Sequence, residues 1–190
     1  MNNGIIRGLM VGRFQPFHNG HLYLAKQILQ ECDELIIAIG SAQFNYFYTD
    51  PFTAGERILM IHAALSESKV NLTNCYIIPI VNDENNMRWF AHLKSMVPHF
   101  DVFYSGNEFV ITLLSKEIEI KIKKPRFEKK REYNGTNIRK LIANMQNWKK
   151  LVPDIVYTII LEIGGDKRIK MLLNTQNSTL NNIRYPNIIR

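Results

Sequence analysis

The residues best suited to chemistry lie in one short stretch, GRFQPFHNGH, from Gly12 to His21. His18 and His21 are three apart with Gly20 between them, so at a helix start both imidazoles can face one ligand while the backbone approaches it closely. There they can donate hydrogen bonds to a transferring phosphoryl group, and the helix start adds amide donors. Arg13 can clamp a phosphate with two directed bonds. The stretch is neither the GxGxxG dinucleotide fingerprint nor the GxxxxGK[ST] phosphate loop. Two plainer readings stand beside this one: histidines that only cap a helix or bind surface water, and a metal pair, for which no third Cys, His or carboxylate stands at a persuasive spacing.

A second phosphate-suited stretch is YNGTNIR, residues 133 to 139. It places Thr136 at a helix start, where amides and hydroxyl can bind phosphate, and Arg139 three residues on as a clamp. The plainer reading is an N-cap followed by a surface arginine. Gly40 closes an apolar run, and Ser41 and Gln43 follow on a loop that should share the mouth of the same site. DPFTAGER, residues 50 to 57, then introduces a helix through Pro51 and a Thr53/Glu56 capping box. Arg57 either supports the loop through a carboxylate or reaches substrate phosphate. Further on, NDENNMRWFAH offers Asn82, Asp83, Glu84, Asn85 and Asn86 before Trp89. An indole there can stack on a flat heterocycle while Asn86 reads amide or ribose edges; packing against the core is the plainer role of Trp89. In YSGN, residues 104 to 107, Ser105 and Gly106 permit a tight turn that exposes amides.

The elements that must position these residues follow from periodicity. IIRGLMVG, residues 5 to 12, reads as a buried strand, GHLYLAKQILQE, residues 20 to 31, as a helix, and ELIIAIG, residues 34 to 40, as a second strand. A helix from Thr53, a strand over 75 to 80, a helix over 86 to 96 and a short strand in DVFYSG continue the alternation. EFVITLLSK reads as a short helix, IEIKIK, residues 118 to 123, as a fifth strand, and helices are expected from NGTNIRKLIANM and over 154 to 162 and 166 to 173. Strand, turn, helix, strand is the unit of parallel α/β sheets, and continuous apolar strands require cover on both faces. The expected fold is therefore a Rossmann-like parallel sheet with helices on both sides. Residues 1 to 173 are expected to form one domain, followed by a loosely structured Asn/Thr-rich tail, 174 to 190, in which Ile183, Tyr185 and Ile188 offer docking points.

A chain of 190 residues has room for one core and no second catalytic domain. Its 46% hydrophobic and 22% charged residues are those of a soluble globular protein, and no apolar run approaches the ~20 residues that cross a bilayer. The opening MNNGIIRGLMVGRF lacks the features of a secretory signal, so a cytoplasmic location without membrane partners is expected. Cys32 and Cys75 match no zinc or redox spacing and read as reduced thiols. The net charge of +7 raises the odds of a polyanionic partner, and much of it lies in KIKKPRFEKKR, residues 121 to 131. That run holds a single aromatic, Phe127, which gives little stacking surface for a nucleic-acid strand.

GRFQPFHNGH resembles the extended HxGH signature of the nucleotidyltransferase superfamily, which shares its HUP-type fold with class I aminoacyl-tRNA synthetases. YNGTNIR resembles that superfamily's second signature, usually SGTxIR. More narrowly, GLMVGRFQPFHNGH followed by IAIGSAQ and DPFTAGER is similar to the archaeal nicotinamide-nucleotide adenylyltransferases, from about Arg7 to Lys170. The resemblance implies adenylyl transfer from ATP to nicotinamide mononucleotide (NMN), giving NAD and pyrophosphate. It assigns catalysis to His18, His21, Arg13 and Arg139, and ATP binding to these with Gly12, Phe14, Gly20, Gly106, Asn134 and Thr136. The acceptor would meet Gly40, Ser41, Asn82, Asn86 and Trp89, with the indole on the nicotinamide ring. Mg²⁺ would arrive on the ATP phosphates without a dedicated protein site, and a homo-oligomer, commonly a hexamer in this family, is expected. The chain departs from the usual residues at Asn45–Tyr46, Asn82 and Asn134. The rival expectations are an adenylyltransferase for another acceptor, such as pantetheine phosphate or a flavin precursor, and a non-catalytic nucleotide- or RNA-binding module.

Overall fold

The computed structural model describes residues 4–82, 85–114, 120–126 and 132–182. Strands β1 (Arg7–Gly12), β2 (Glu34–Ile39), β3 (Cys75–Pro79), β4 (Val102–Tyr104) and β5 (Lys121–Lys123) pair in parallel in the order β3-β2-β1-β4-β5. Successive side chains of a strand point to opposite faces. In β2 this sends Leu35, Ile37 and Ile39 into one core with Met10 and Tyr104, and Ile36 and Ala38 into another with Leu9 and Phe103. The first core is closed by α1 (Asn19–Glu31), α2 (Ala54–Glu67), α5 (Gly135–Ala143), α6 (Asp154–Glu162) and α7 (Gly165–Asn182). The second is closed by α3 (Asn86–Met96), with Val110 of α4 (Glu108–Leu114) packed against it. Burial on both faces is why β2 reads as an unbroken apolar run rather than an alternating one.

The chain leaves β1 toward β2 on one side and later returns to β4 on the other, so the strand order reverses between β1 and β4. In open parallel sheets that reversal leaves a crevice beyond the carboxyl ends of the two strands. The β1–α1 turn and the β4–α4 turn both open onto it.

Two expectations change. The fifth strand is shorter than the stretch 118 to 123, and residues 118 and 119 lie outside the described residues. The Asn/Thr-rich stretch from Asn174 is not loose at its start, because α7 continues to Asn182. Ile169 anchors that helix in the core, and once a helix is nucleated each added residue gains a hydrogen bond at little further cost. Ile183, Tyr185 and Ile188 lie outside the described residues.

The loop from Gly40 to Phe52 has little regular structure and is held by three side chains. Arg57, fully buried, donates to six carbonyls, those of Arg13, Gly40, Ser41, Ala42, Phe44 and Thr53, at 3.1 to 3.5 Å. Gln15 bonds both the N–H and the C=O of Phe52 at 2.9 Å, in the manner of a strand partner. Arg168 of α7 reaches across to Glu56 with two bonds of 2.7 and 2.8 Å, to the Pro51 carbonyl, and lies over the Tyr46 ring. Arg57 thus supports the loop through backbone oxygens, neither through a carboxylate nor at a phosphate. A lysine there has one nitrogen for six acceptors, and buried carbonyls without a donor are costly. Arg57→Lys is expected to lower the unfolding free energy by about 3 kcal/mol, read from chemical denaturation.

Candidate active site

At the β1–α1 turn the two histidines are built into the helix start itself. His18 is the N-cap of α1; its Nδ1 accepts the His21 N–H at 3.4 Å, and His21 Nδ1 accepts the His18 N–H at 3.3 Å. This reciprocal pair is a capping box made of imidazoles in place of the usual hydroxyl and carboxylate. It stacks the rings face to face, with centroids 3.5 Å apart, and Phe14 meets His21 edge-on at 4.7 Å. Burial pushes His18 from 6.5 down to about 4, and burial together with the charge of His18 pushes His21 well below its ordinary value. Both rings are therefore neutral near pH 7. Since each Nδ1 accepts a backbone proton, the hydrogen-bond pattern assigns the ring proton of each to Nε2. The turn thus presents two uncharged N–H donors, and capping and ligand binding are compatible uses of one pair.

The histidines line a cavity of about 320 Å³ between the ends of β1 and β4, together with Gly20, Tyr104, Ser105, Gly106, Tyr133 and Asn134. This is the lower end of the size range of small-ligand pockets. Gly20 is required here for a reason internal to the protein: an added Cβ would come within 2.9 Å of Tyr133 Cβ and 3.2 Å of the His18 ring. Tyr133 is a wall residue that the sequence motifs did not single out; its ring lies nearly parallel to that of His18 at 6.5 Å. Tyr104 closes the floor, its hydroxyl donating to Glu31 at 2.9 Å. Of the residues expected at ATP, His18, Gly20, His21, Gly106 and Asn134 thus meet in one place.

The others are placed differently. Asn134, not Thr136, caps α5, accepting from the N–H groups of Thr136 at 2.8 Å and Asn137 at 3.4 Å. Asn134 therefore serves as a good helix cap. Arg139 is buried rather than a surface residue: Nη1 donates to the Gln15 carbonyl at 2.7 Å and Nη2 to the Thr136 hydroxyl at 3.3 Å, while Nε has no partner among the described residues. Phe14 is 1% exposed and packs in the core, its backbone at a positive φ of 52°. Gly12 lies at the end of β1, where an added Cβ would strike the Phe14 ring at 2.9 Å. Arg13 is half exposed and paired with Asp50.

On the β2–β3 side, Gly40 and Ser41 give their carbonyls to Arg57, and Gln43 clasps Asn82 by accepting its N–H at 2.9 Å. Trp89 packs partly buried against the second core beside Phe90. Asn86 is the first residue of α3, while Asp83 and Glu84 lie outside the described residues. In the basic run, Lys123 pairs with Glu31 and Lys124 with Glu108, which neutralises part of that surface. Residues 127–131 lie outside the described residues. Cys32 and Cys75 are free thiols. Among the described residues no three His, Cys, Asp or Glu side chains are grouped to hold a metal ion, and no helix is long and apolar enough to cross a membrane.

A histidine whose folded pKa lies below its unfolded one favours folding fully above the unfolded value and loses that advantage as pH falls toward the folded one. For His18 the window runs from 6.5 down to about 4, and the loss is on the order of 3 kcal/mol. His18→Asn retains a capping acceptor but has nothing to titrate. Unfolding free energies measured from about pH 7 to about pH 4 should therefore fall less steeply in the variant; superimposable slopes would contradict a neutral, buried His18.

Residues 9–152 match the cytidylyltransferase-like family. The nicotinamide-nucleotide adenylyltransferase of Pyrobaculum arsenaticum is 49% identical over 168 residues, 87% of this chain and 93% of that protein. Its counterpart from Methanococcus aeolicus is 47% identical over 167 residues, 88% of this chain and 95% of that protein. Among solved structures, the bifunctional NMN adenylyltransferase/ADP ribose pyrophosphatase of Francisella tularensis, complexed with AMP and a Mn ion, superposes with a TM-score of 0.79 at 20% identity. The match covers 93% of this chain and 54% of that one, and it is a likeness of fold. Identity of 47 to 49% over nearly the whole length of the archaeal enzymes, on a parallel sheet whose switch point carries the paired histidines, places the chain in the cytidylyltransferase-like family and, within it, among the nicotinamide-nucleotide adenylyltransferases.

Proposed function

We propose that the protein transfers the adenylyl group of ATP to NMN, forming NAD and releasing pyrophosphate. The observation that carries this reading is the pair of mutually capping histidines fixed at a helix start and lining the cavity of about 320 Å³. The acceptor phosphate already holds an anionic oxygen, so no protein nucleophile is needed. That oxygen attacks the α-phosphorus in line, the bond from the α-phosphorus to the bridging oxygen breaks, and the electron pair leaves with pyrophosphate. Charge grows on the oxygens around the α-phosphorus and on the leaving group. Preorganised donors stabilise it without a reorganisation cost at the moment of reaction.

In this reading His18 and His21 touch the transferring phosphoryl group and Arg13 the leaving phosphates. Gly12 and Gly20 allow close approach, and Gly106 lines the adenosine side. Asn134 and Thr136 present the start of α5. Arg139, tied to the Gln15 carbonyl, supports the histidine turn from behind as well as adding positive charge there. NMN would lie over Gly40, Ser41, Asn82, Asn86 and Trp89 at the ends of β2 and β3. Mg²⁺ enters as part of the substrate, chelated by the triphosphate. A cytoplasmic homo-oligomer, of the hexameric form implied by the resemblance, completes the proposal.

With purified protein, Mg²⁺, ATP and a panel of NMN, nicotinic acid mononucleotide, pantetheine phosphate and a flavin precursor, mass analysis should show NAD and pyrophosphate from NMN. Turnover with a different acceptor alone would overturn the substrate assignment. The His18→Ala/His21→Ala double variant is expected to lose on the order of 10²–10³ in kcat. Light scattering should give a solution mass of about six chains; a monomer would refute the assembly.

A further inference from the structure

Beside the histidine turn, three arginines surround one carboxylate. Asp50 is buried, and each of its oxygens lies 3.3 Å from Arg13 Nη1. Arg57 and Arg139 stand within reach of the same charge. Burial lowers both guanidiniums, and on each of them Asp50 and Arg13 act in opposite senses. One carboxylate is therefore shared among three cations, with Glu56 also acting on Arg57.

The three arginines are not equivalent. Arg57 is committed to six carbonyls, and Arg139 to Gln15 and Thr136. Arg13 is different: its side chain is 52% exposed, Nη1 alone is engaged, and Nε and Nη2 have no partner among the described residues. An exposed arginine loses substantial rotamer freedom when it must hold one pose, and one fixed nitrogen removes much of that cost beforehand while leaving donors open. Asp50 can do this because it is itself fixed. Its N–H donates to the Phe47 carbonyl at 3.0 Å, its own carbonyl accepts from Phe47 at 3.3 Å, and the following residues are pinned by Arg168 and Gln15.

We propose that Asp50 is the positioning residue for Arg13, holding the guanidinium at the β1–α1 turn with its unused donors available to the phosphates of ATP. The inference rests on the adenylyl transfer proposed above. A carboxylate near an anion site works against ground-state binding by repulsion, so its benefit lies in orientation at the transition state. Asp50 therefore acts on kcat more than on affinity.

The test is a double-mutant cycle of Asp50→Asn and Arg13→Ala, read in kcat for NAD formation, in KM for ATP and NMN, and in the affinity for inorganic triphosphate by calorimetry. Asp50→Asn is expected to lower kcat by about tenfold to a hundredfold, to leave KM for NMN unchanged, and to tighten triphosphate binding less than it does in the Arg13→Ala background, because loosened positioning offsets the relieved repulsion only where Arg13 is present. In the Arg13→Ala background the same substitution should change kcat by no more than about twofold, while triphosphate binding gains the full relief of repulsion. A role confined to loop stability would cost the same factor with and without Arg13, and that result overturns the proposal, as does an Asp50→Asn enzyme with wild-type kcat. If the wild-type protein formed no NAD, the functional reading would fail on its own. The triphosphate cycle would then decide the coupling: a smaller gain, or a loss, from Asp50→Asn beside Arg13 than in its absence supports it, and an equal or larger gain beside Arg13, or no effect in either background, overturns it.

Discussion

The arrangement of the site depends on one buried cation. Arg57 sits under the carboxyl ends of β1 and β2 and gathers the carbonyls of Arg13, Gly40, Ser41, Ala42, Phe44 and Thr53. Strand ends and the loops beyond them leave carbonyls that no ladder can satisfy, and in a covered α/β sheet water cannot reach all of them. A planar guanidinium meets several acceptors at once, and those acceptors in turn stabilise a charge that burial opposes. The backbone of the β1 turn and that of the β2 loop are thereby set relative to each other, and every side chain proposed to touch ATP or NMN from those loops inherits that geometry.

The histidine pair shows how structural and chemical demands can coincide. Serine or aspartate would cap α1 as well, but neither would leave a second ring nitrogen carrying a proton toward the cavity. The mutual cap fixes the orientation and tautomer of both rings, and burial keeps them uncharged. Charge is instead supplied from the rim, where Arg13 is half exposed, and from behind, where Arg57 and Arg139 are buried. A site that must bind a triphosphate and still release pyrophosphate gains from this division, since uniform tight binding of every phosphate would not favour the transition state over the ground state.

The C-terminal helix belongs to this system as well. Arg168 on α7 completes the α2 capping box from outside by pairing with Glu56, and it covers Tyr46. Tyr46 stands in the loop between Gly40 and Phe52. Its ring here packs under a guanidinium, and its backbone takes the left-handed conformation, with φ of 58°.

Local patterning determined much of this protein. The apolar runs, the Thr53/Glu56 box and the 86 to 96 helix are dictated by residues close in sequence, and so is the placing of GRFQPFHNGH between a strand and a helix. Only the tertiary structure decided which polar residues face the cavity and which are spent on backbone. Arg139 near a helix start reads in its plainer sense as a surface arginine until the fold buries it and Gln15, far away in the chain, takes its Nη1. The partners of Arg57 are spread over two loops that only the parallel pairing of β1 and β2 brings together. Tyr133 and Asp50 open the YNGTNIR and DPFTAGER stretches, yet nothing local assigns either a task, because their roles are defined by His18 and Arg13 across the fold. Hydrogen bonds to backbone carbonyls are indifferent to the acceptor's side chain, so such contacts leave almost no trace in sequence until the chain has folded.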